Sequence, residues 1–330
     1  MFVKSNRIVC CLAIIISFTG ENRLFAQSLP KNDYSKYAFQ LKYSDLDSWY
    51  YMQVKESTVI GGDIKKLYQI GNSPCSVNSS NETEKDHESE WATTNIFARI
   101  GVNVAVTCVF PEKKNDGFCC RMESVIKTVD VIGIKIKVLV SGAIFLGNVY
   151  EPVRSIKYPI RQLNHGIAFT QKPKAVQFSY RYKAGQNRKR IYYSSTAVSG
   201  PDKGEFCMIL QKRWEDSKGN VFAKRIGGAR SFLNDSGNKW VNDTTISILY
   251  GDISRESFFN PSTMGLIPQI SELYVKNSRD KMVPLTETSW DKSNDSPTHL
   301  ILYFTSSFEG INYTGSPGSV FWIDNVRFIY

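Results

Sequence analysis

Two segments near the end of the chain decide the fold: HLILYFT (residues 299–305) and VFWIDNVRFIY (residues 320–330). In the first segment Leu300, Leu302 and Phe304 share one parity. In the second segment one parity contains Val320, Trp322, Asp324, Val326, Phe328 and Tyr330. Because successive side chains of a strand point to opposite faces, each segment predicts a strand with one inward face. Glycine, serine and proline between the two segments permit a tight reversal, so we predict a long antiparallel hairpin.

Asp324 is unusual because it shares the predicted inward face with Trp322 and Phe328. A carboxylate on an apolar face must be hydrogen-bonded, ion-paired or bound to a metal. One interpretation is a buried, hydrogen-bonded aspartate. The other is a structural calcium ion bound by Asp324 together with Asp45 or Asp47, since Ca²⁺ prefers carboxylate and carbonyl oxygens. We predict no other cofactor.

Alternation with a period of two recurs along the chain and predicts further strands. Isoleucine and valine alternate with lysine in residues 132–141, and aromatic residues alternate with polar ones in residues 176–183. The stretch 267–276 fits either one short helix or a bent strand. A dozen or more short strands separated by turns predict an all-β antiparallel β-sandwich. No linker or internal repeat divides residues 27–330, which favours a single domain.

The first 26 residues have the layout of a secretory signal peptide. Lys4 and Arg7 precede an apolar run, and the segment ends at Ala26. The apolar run is too short to span a bilayer, which needs roughly 20 helical residues. We therefore predict export to the periplasm or the cell surface, with no integral membrane segment once residues 1–26 are removed.

Charge and cysteine content narrow the classes of partner and the redox chemistry. The chain carries a formal net charge of +10, but no nucleic-acid-binding module surrounds the basic cluster Arg188-Lys189-Arg190, so we predict no nucleic-acid partner. Five of the seven cysteines follow residue 26, which leaves at least one thiol unpaired. Cys75, in a polar loop, is a candidate for one disulfide, and burial as small apolar side chains is the alternative.

Sequence motifs of the common catalytic classes do not occur. There is no HExxH zinc motif, no Gly-x-Ser-x-Gly nucleophile elbow and no phosphate-binding Walker loop, and the three histidines are isolated. Hydrolysis of a glycosidic bond needs two carboxylates, one as the acid and the other as nucleophile or base. The catalytic candidates are Glu56 and Asp324, and a surface or capping role is the alternative for each.

Aromatic residues make up 13% of the chain. Sugar rings pack their C–H faces on flat aromatic surfaces while polar side chains hydrogen-bond the hydroxyls, so exposed aromatics beside polar groups form a glycan platform. Filling the core of a sandwich is the alternative for each aromatic residue. We predict a ligand-binding site near Trp49, Trp91, Tyr180, Arg181 and Tyr182. Arg181 lies opposite in parity to the two tyrosines, so these three cannot share one face of a regular strand.

Several segments, taken in their order, resemble a known family. They are Trp91-Ala92-Thr93-Thr94-Asn95, Gly142 to Gly147, Phe169 to Gly185, and the closing stretch from Ser306 to Val326. Together with the stretch from Asp47 to Gly62, they resemble the putative carbohydrate metabolism domain, which is found in exported proteins of Bacteroidetes. The resemblance implies a jelly-roll-like β-sandwich and a role in glycan handling. It implies no established catalytic residues.

These observations lead to three hypotheses about function. The first is an exported carbohydrate-binding β-sandwich whose partner is a polysaccharide or oligosaccharide, with aromatic side chains stacked on the sugar rings. The second is a glycoside hydrolase of the two-carboxylate type, which a pair of solvent-facing carboxylates in a cleft would favour. The third is a structural or adhesin-like surface protein, which a flat surface without an aromatic-lined groove would favour.

Overall fold

Strands dominate the computed structural model, which describes residues 38–72, 89–131 and 133–330. The all-β class predicted from the sequence is confirmed. The predicted signal peptide at residues 1–26 and the disulfide candidate Cys75 lie outside the described residues. Within the described ranges, helical structure is limited to one α-helical turn and three 3-10 turns: α1 (Pro261–Met264), Thr58–Ile60, Pro159–Gln162 and Gly310–Asn312.

Twenty-four strands lie in the described residues. In chain order they are β1 (Ala38–Phe39), β2 (Trp49–Lys55), β3 (Ile64–Ile70), β4 (Trp91–Thr93), β5 (Ile96–Arg99), β6 (Asn103–Val106), β7 (Val109–Lys114), β8 (Gly117–Val131), β9 (Ile134–Ser141), β10 (Ala143–Val149), β11 (Leu163–His165), β12 (Ile167–Ala168), β13 (Ala175–Lys183), β14 (Lys189–Tyr192), β15 (Ser194–Ala197), β16 (Gly204–Glu215), β17 (Val221–Leu233), β18 (Val241–Ser247), β19 (Leu249–Tyr250), β20 (Tyr274–Lys276), β21 (Met282–Trp290), β22 (His299–Thr305), β23 (Thr314–Gly315) and β24 (Val320–Ile329).

Two ten-stranded sheets pack face to face, which confirms the predicted β-sandwich. The first sheet has the strand order β15-β14-β9-β8-β24-β13-β18, with β1, β7 and β23 attached to it. The second has the order β12-β22-β16-β17-β21-β20-β11-β10-β4, with β19 attached to β17. Most pairings are antiparallel, as predicted, but β17 with β21 and β11 with β20 are parallel. The ribbons β2-β3 and β5-β6 form two further small sheets.

The sandwich core lies between the inner faces of the two sheets. The first sheet contributes Phe178 and Phe321, and the second contributes Phe206 and Phe304. Phe178 packs edge-on against Phe304 with 4.9 Å between ring centroids. These rings fill the interior because each one removes a large apolar area from water.

The second sheet also closes on itself through a further pairing between β22 and β10. Strands β22, β16, β17, β21, β20, β11 and β10 thereby form a closed hydrogen-bonded circuit, which we call the seven-strand ring. Alternate side chains of β16 pack into two separate cores. Met208 and Leu210 enter the sandwich core, whereas Cys207 and Ile209 enter a second apolar cluster inside the ring. Strand β16 is consequently buried on both of its faces.

Strands β22 and β24 form where the sequence predicts strands, but the predicted hairpin between them is wrong. β22 pairs with β16 in the second sheet, whereas β24 pairs with β13 and β8 in the first. The intervening chain crosses between the sheets around Asp202, whose Oδ2 accepts hydrogen bonds from Ser307 Oγ (2.6 Å), Ser316 N (2.7 Å) and Ser319 Oγ (2.7 Å). These serines are buried partners of a carboxylate, and the turn that Ser319 N closes onto the carbonyl oxygen of Ser316 at 2.9 Å does not join β22 directly to β24.

The prediction that one parity of β24 faces inward is also wrong, because a β-bulge changes which alternate residues face the core. Ile323 faces the sandwich core, Asn325 takes a left-handed conformation with φ 54°, and Val326 faces the core again. The register with β13 shifts at the same place, as expected for an extra residue in one strand. Trp322 and Asp324 therefore lie on the outer face of the first sheet.

The other local predictions have mixed outcomes. The alternation in β9 is confirmed, since Lys135 and Lys137 are exposed while Ile136 and Val138 are buried. The stretch 267–276 is neither one helix nor one bent strand, because only its last three residues pair, as β20.

Four cysteines lie in the described residues, and all are buried and unpaired: Cys108, Cys119, Cys120 and Cys207. Burial raises the pKa of the Cys108 thiol to about 12, so the reactive thiolate is disfavoured. These four side chains act as small apolar residues, which is one of the two alternatives that the sequence left open.

A buried ion pair stabilises the seven-strand ring. Arg225 donates from Nε to Oε1 of Glu287 at 2.9 Å and from Nη2 to Oε2, so the pair is bidentate. Gln211 Nε2 donates to the same Oε1 at 2.7 Å, and the backbone N of Ile267 donates to Oε2 at 2.8 Å. Both charged side chains are almost completely shielded from water. Removing one partner would leave the other charge buried without compensation.

We expect Arg225→Met to lower the free energy of unfolding by about 3–5 kcal/mol, because Glu287 would remain as a buried, unpaired carboxylate. Urea denaturation of the wild type and the variant measures the difference. The double variant Arg225→Met/Glu287→Leu removes both charges and should recover part of the loss. A single variant as stable as the wild type would contradict the structural role assigned to the pair.

His165 is a second buried titratable group in the ring. Its imidazole packs against Phe145 with 5.0 Å between ring centroids, and its Nδ1 lies 3.3 Å from the carbonyl oxygen of Tyr274. Burial, opposed by backbone hydrogen bonds and aided by the charge of Arg213, lowers the pKa of His165 to about 4. The folded protein therefore favours the neutral ring at pH values where the unfolded chain is already protonated.

This difference in pKa predicts an acid-dependent loss of stability. The contribution of His165 is fully present above pH 6.5 and is lost as the pH falls to about 4, a change of about 3 kcal/mol in the free energy of unfolding. We expect His165→Gln to show a smaller decline than the wild type over this range when urea denaturation is repeated at each pH. Parallel declines in the two proteins would contradict the prediction.

Candidate functional site

A cleft of about 490 Å³ opens where the hairpin of β16 and β17 extends beyond the sandwich core. Its walls come from the ends of these two strands and from the loop between β21 and β22. We call it the Trp214 cleft, and its lining residues are Lys212, Arg213, Trp214, Lys224, Asp291, Lys292 and Asp295. Its volume lies in the range of about 300–1,000 Å³ that is usual for small-molecule sites.

The hairpin turn after β16 fixes the position of Trp214. Asp216 Oδ1 accepts hydrogen bonds from the backbone N of Lys218 and of Asn220, both at 2.9 Å, and Gly219 takes a positive φ of 88°. This is the turn that the sequence predicts between two strands. Trp214 stacks on Phe222 of the neighbouring strand with 5.9 Å between ring centroids and 28° between ring planes. The indole remains 42% exposed.

The loop between β21 and β22 is tied to the hairpin by backbone hydrogen bonds. Asp291 N donates to the carbonyl oxygen of Arg225 at 2.8 Å, and Asp295 N closes a turn onto the carbonyl oxygen of Lys292 at 3.1 Å. At the end of the loop, Arg213 N donates to Thr298 Oγ1 at 3.0 Å. These contacts set the width of the cleft without help from a ligand.

Positive charge predominates in the Trp214 cleft, with four cationic side chains against two carboxylates. Lys212 Nζ lies 3.5 Å from Asp295 Oδ2. Arg213 donates from Nε to Gln211 Oε1 at 2.8 Å and from Nη1 to the carbonyl oxygen of His165 at 3.1 Å. Burial lowers the pKa of Arg213 to about 10, and the nearby Glu287 opposes that effect.

The arrangement combines an exposed aromatic face with donors and acceptors of both charge signs. An indole face can pack on the C–H face of a sugar ring, and the ammonium and carboxylate groups can hydrogen-bond its hydroxyls.

In the chain that the structure describes, no three or more His, Cys, Asp or Glu side chains come together in a way that could bind a metal ion. No helix of the described ranges is both long and apolar enough to cross a membrane.

The structure places the two tryptophans predicted as stacking residues within the packed interior. Trp91 is only 1% exposed, and its Nε1 donates to Ser44 Oγ at 2.9 Å. Trp49 is half-buried against the sandwich core, and its Nε1 donates to the carbonyl oxygen of Leu46 at 2.7 Å. Both side chains have a packing role, which is the alternative given for aromatic residues in the sequence analysis.

The predicted site residues on β13 point to opposite faces, as their parity requires. Tyr180 and Tyr182 pack toward the sandwich core, and Tyr182 Oη donates to the carbonyl oxygen of Ser306 at 3.1 Å. Burial raises the pKa of Tyr182 above its usual range. Arg181 lies on the outer face, where its guanidinium sits 3.9 Å from the ring centroid of Trp322.

Asp324 lies beside Arg181 on this outer face and forms an ion pair. Lys114 Nζ lies 2.6 Å from Asp324 Oδ2 and 3.8 Å from the ring centroid of Trp240. The cations of this group thus cover the ring faces of Trp240 and Trp322, and those faces are not free for a sugar. The expectation that Asp324 is buried with a partner is confirmed, but the partner is a lysine on the outer face.

The two catalytic candidates have different lysine partners. Glu56 is buried, accepts a hydrogen bond from the backbone N of Ala105 at 3.0 Å and pairs with Lys127 at 3.1 Å. Asp324 pairs with Lys114. Neither lines the Trp214 cleft. The structure therefore does not bring Glu56 and Asp324 together as an exposed carboxylate pair.

Asp47, the second residue predicted for calcium, caps the hairpin of β7 and β8. Its Oδ1 accepts a hydrogen bond from the backbone N of Phe118 at 2.7 Å. Asp47 and Asp324 thus have different partners within the protein, a backbone N–H and Lys114 respectively.

Sequence reasoning missed Trp214 as a functional candidate. A signal was available, because Trp214 and Phe222 flank the predicted turn symmetrically and face each other across the strands. Asp291 and Asp295 carried no signal, since only the folded chain brings them to the hairpin.

Comparisons with known proteins identify a family and some distantly similar structures. A family model described as "Putative carbohydrate metabolism domain" matches residues 42–236, more than half of the chain. No curated protein matches significantly. Among solved structures, a putative glycoside hydrolase from Bacteroides thetaiotaomicron VPI-5482 has 16% identity and a TM-score of 0.42, over 67% of this chain and 56% of that one. A putative glycoside hydrolase from Bacteroides vulgatus ATCC 8482 has 12% identity and a TM-score of 0.41, over 67% and 76%. The chain thus spans little more than half of the first structure.

Proposed function

Because the chain belongs to the family of the putative carbohydrate metabolism domain, we propose that it binds glycans in the Trp214 cleft. The observation that carries this proposal is the exposed indole of Trp214 in a cleft with polar side chains on every wall. Both strands that present the hairpin walls lie within the residues matched by the family model. The ligand is an oligosaccharide or a polysaccharide.

In this proposal the ligand is bound by stacking on Trp214 and by hydrogen bonds from the polar side chains around it. The indole of Trp214 offers one face to a sugar ring while Phe222 supports the hairpin from the neighbouring strand. The side chains of Lys224 and Lys292 are exposed and can reach ring hydroxyls. The supporting backbone is anchored to the ring, so little conformational entropy is lost when a ligand binds.

The proposal also includes export of the protein from the cytoplasm. Residues 1–26 act as a signal peptide, and residues 27–330 form one jelly-roll-like domain in the periplasm or at the cell surface. Extracellular glycans are the polymers that such a protein meets. The positions first predicted for binding, from Trp49 to Tyr182, have a structural role in this proposal, apart from Arg181 on the outer face.

We expect Trp214→Ala to weaken glycan binding about tenfold or more, because a stacked aromatic contributes about 1.4 kcal/mol or more to such contacts. Affinity electrophoresis of the protein without residues 1–26 on a panel of polysaccharides identifies a ligand, and calorimetry measures the loss. Tyr193→Ala is the matched control, since Tyr193 is 53% exposed and lies outside the cleft.

Two results would overturn the proposal. One is a wild-type protein that binds no polysaccharide of the panel. The other is a Trp214→Ala variant, folded by circular dichroism, that binds as tightly as the wild type.

A glycoside hydrolase is the second candidate function, because two carboxylates line the same cleft as Trp214. Asp291 and Asp295 are spaced four residues apart in the loop between β21 and β22. Asp295 is already paired with Lys212, which favours binding over catalysis. Paired carboxylates on the two sides of a bound sugar are nonetheless the minimum that hydrolysis requires.

If the cleft is catalytic, Asp291→Asn and Asp295→Asn should each lower the release of reducing ends from a bound glycan by at least about 100-fold. Both variants should keep their affinity for the glycan. Wild-type protein that binds a glycan without releasing reducing ends would rule out hydrolysis of that glycan and leave the binding function.

A further inference from the structure

We infer that the Trp214 cleft selects acidic glycans, whose sugar rings carry a carboxylate or a sulfate group. This inference rests on the proposed function and specifies the substrate class. Three features of the cleft support it: two lysines directly opposite each other, a buried arginine in the wall, and an excess of cations over carboxylates.

The first feature is a pair of like charges across adjacent strands. Lys212 of β16 and Lys224 of β17 are directly opposite partners in the antiparallel register. Like charges in this arrangement destabilise a sheet. Asp295 compensates Lys212, but Lys224 forms no ion pair with any described residue. An anionic ligand that lies across both lysine side chains would offset the repulsion between their charges.

The second feature is Arg213, which forms part of the wall. Its Nη2 is buried beside Gly166 without a hydrogen-bond acceptor among the described residues, so Arg213 adds charge to the wall and no free donor at the cleft surface. The other two nitrogens of the guanidinium are both committed to protein oxygens. The positive charge of a buried arginine acts over a longer distance than that of an exposed lysine, because less water screens it.

The third feature is an excess of cations over carboxylates. Asp295 is paired with Lys212. Asp291 keeps its negative charge, since its Oδ1 accepts a hydrogen bond from the neutral backbone N of Lys292 at 3.0 Å. Lys224, Lys292 and Arg213 remain as cations without a carboxylate partner in the cleft. The field there is therefore positive beside an exposed indole.

A uronic acid or a sulfated sugar has both an apolar C–H face and an anionic group, and the Trp214 cleft can contact both. Its ring has a C–H face for Trp214, and its anionic group can accept hydrogen bonds from the lysine ammonium groups. A neutral sugar would use only the first contact. Double-stranded nucleic acid would use only the charge, because its bases are paired and stacked within the duplex and cannot stack on the indole.

Four commercial polymers test the inference directly. Polygalacturonate carries carboxylates, dextran sulfate carries sulfate esters, dextran is neutral, and double-stranded DNA carries phosphates. We expect polygalacturonate or dextran sulfate to bind at least tenfold more tightly than dextran in 150 mM NaCl, and the better of the two identifies the anionic group. Raising NaCl to 500 mM should weaken that binding, since ions screen exposed charges.

Paired variants assign the charge effect to the cleft. Lys224→Gln/Lys292→Gln should weaken binding of the preferred acidic polymer about tenfold and leave dextran unaffected, because two exposed cations each contribute several-fold. Lys135→Gln/Lys137→Gln is the matched control, since it removes the same charge from exposed positions on β9 of the first sheet. This control should bind the acidic polymer like the wild type.

Three outcomes would overturn the inference. They are equal affinity for dextran and the acidic polymers, an equal loss in both double variants, and DNA binding as tight as that of the acidic glycans with the same dependence on Lys224. If dextran binds as well as the acidic polymers and Trp214→Ala abolishes that binding, the acidic preference fails while the proposed function stands. If Trp214→Ala changes nothing, the proposed function itself fails.

Discussion

Burial of β16 on both faces is the constraint on which the rest of the structure depends. Even-numbered side chains such as Met208 enter the sandwich core, and odd-numbered ones such as Ile209 enter the ring. β16 leaves the sandwich core after Leu210, so Lys212 is exposed, whereas the ring core continues along the hairpin through Ala223 to Val221. The Trp214 cleft lies just beyond the end of the sandwich core, which thus sets its position.

A continuous polar network joins the ring interior to the cleft. Glu287 accepts a hydrogen bond from Gln211 Nε2, and Gln211 Oε1 accepts one from Arg213 Nε at 2.8 Å. Inside the ring the charge of Glu287 is balanced by Arg225. At the cleft wall the guanidinium of Arg213 has no carboxylate directly against it. The same network therefore stabilises the fold and fixes a positive charge beside an exposed indole.

Asp324 illustrates how far local patterns can be read. The sequence predicts that this carboxylate needs a partner. This conclusion does not depend on the fold, because any buried charge must be paired or hydrogen-bonded. The choice of Lys114, 210 residues away, depends on the pairing of β7 with β8 and of β8 with β24. The bulge at Asn325 decides which face the carboxylate occupies, and one extra residue in a strand reverses every parity after it. For Trp91 the sequence left two alternatives, because an aromatic side chain is suited both to a core and to a glycan platform.

The sequence by itself determined the all-β class, most strand positions and the opposite facing of Arg181 and its flanking tyrosines, because these follow from alternation along a single segment. Only the tertiary structure decided which strands pair, how the second sheet closes into a ring, and which aromatic residue stays exposed. The cleft joins a hairpin at residues 212–224 to a loop at residues 291–295 through backbone hydrogen bonds. Contacts between segments this far apart in the chain depend on packing in three dimensions, and no local pattern of side chains encodes them.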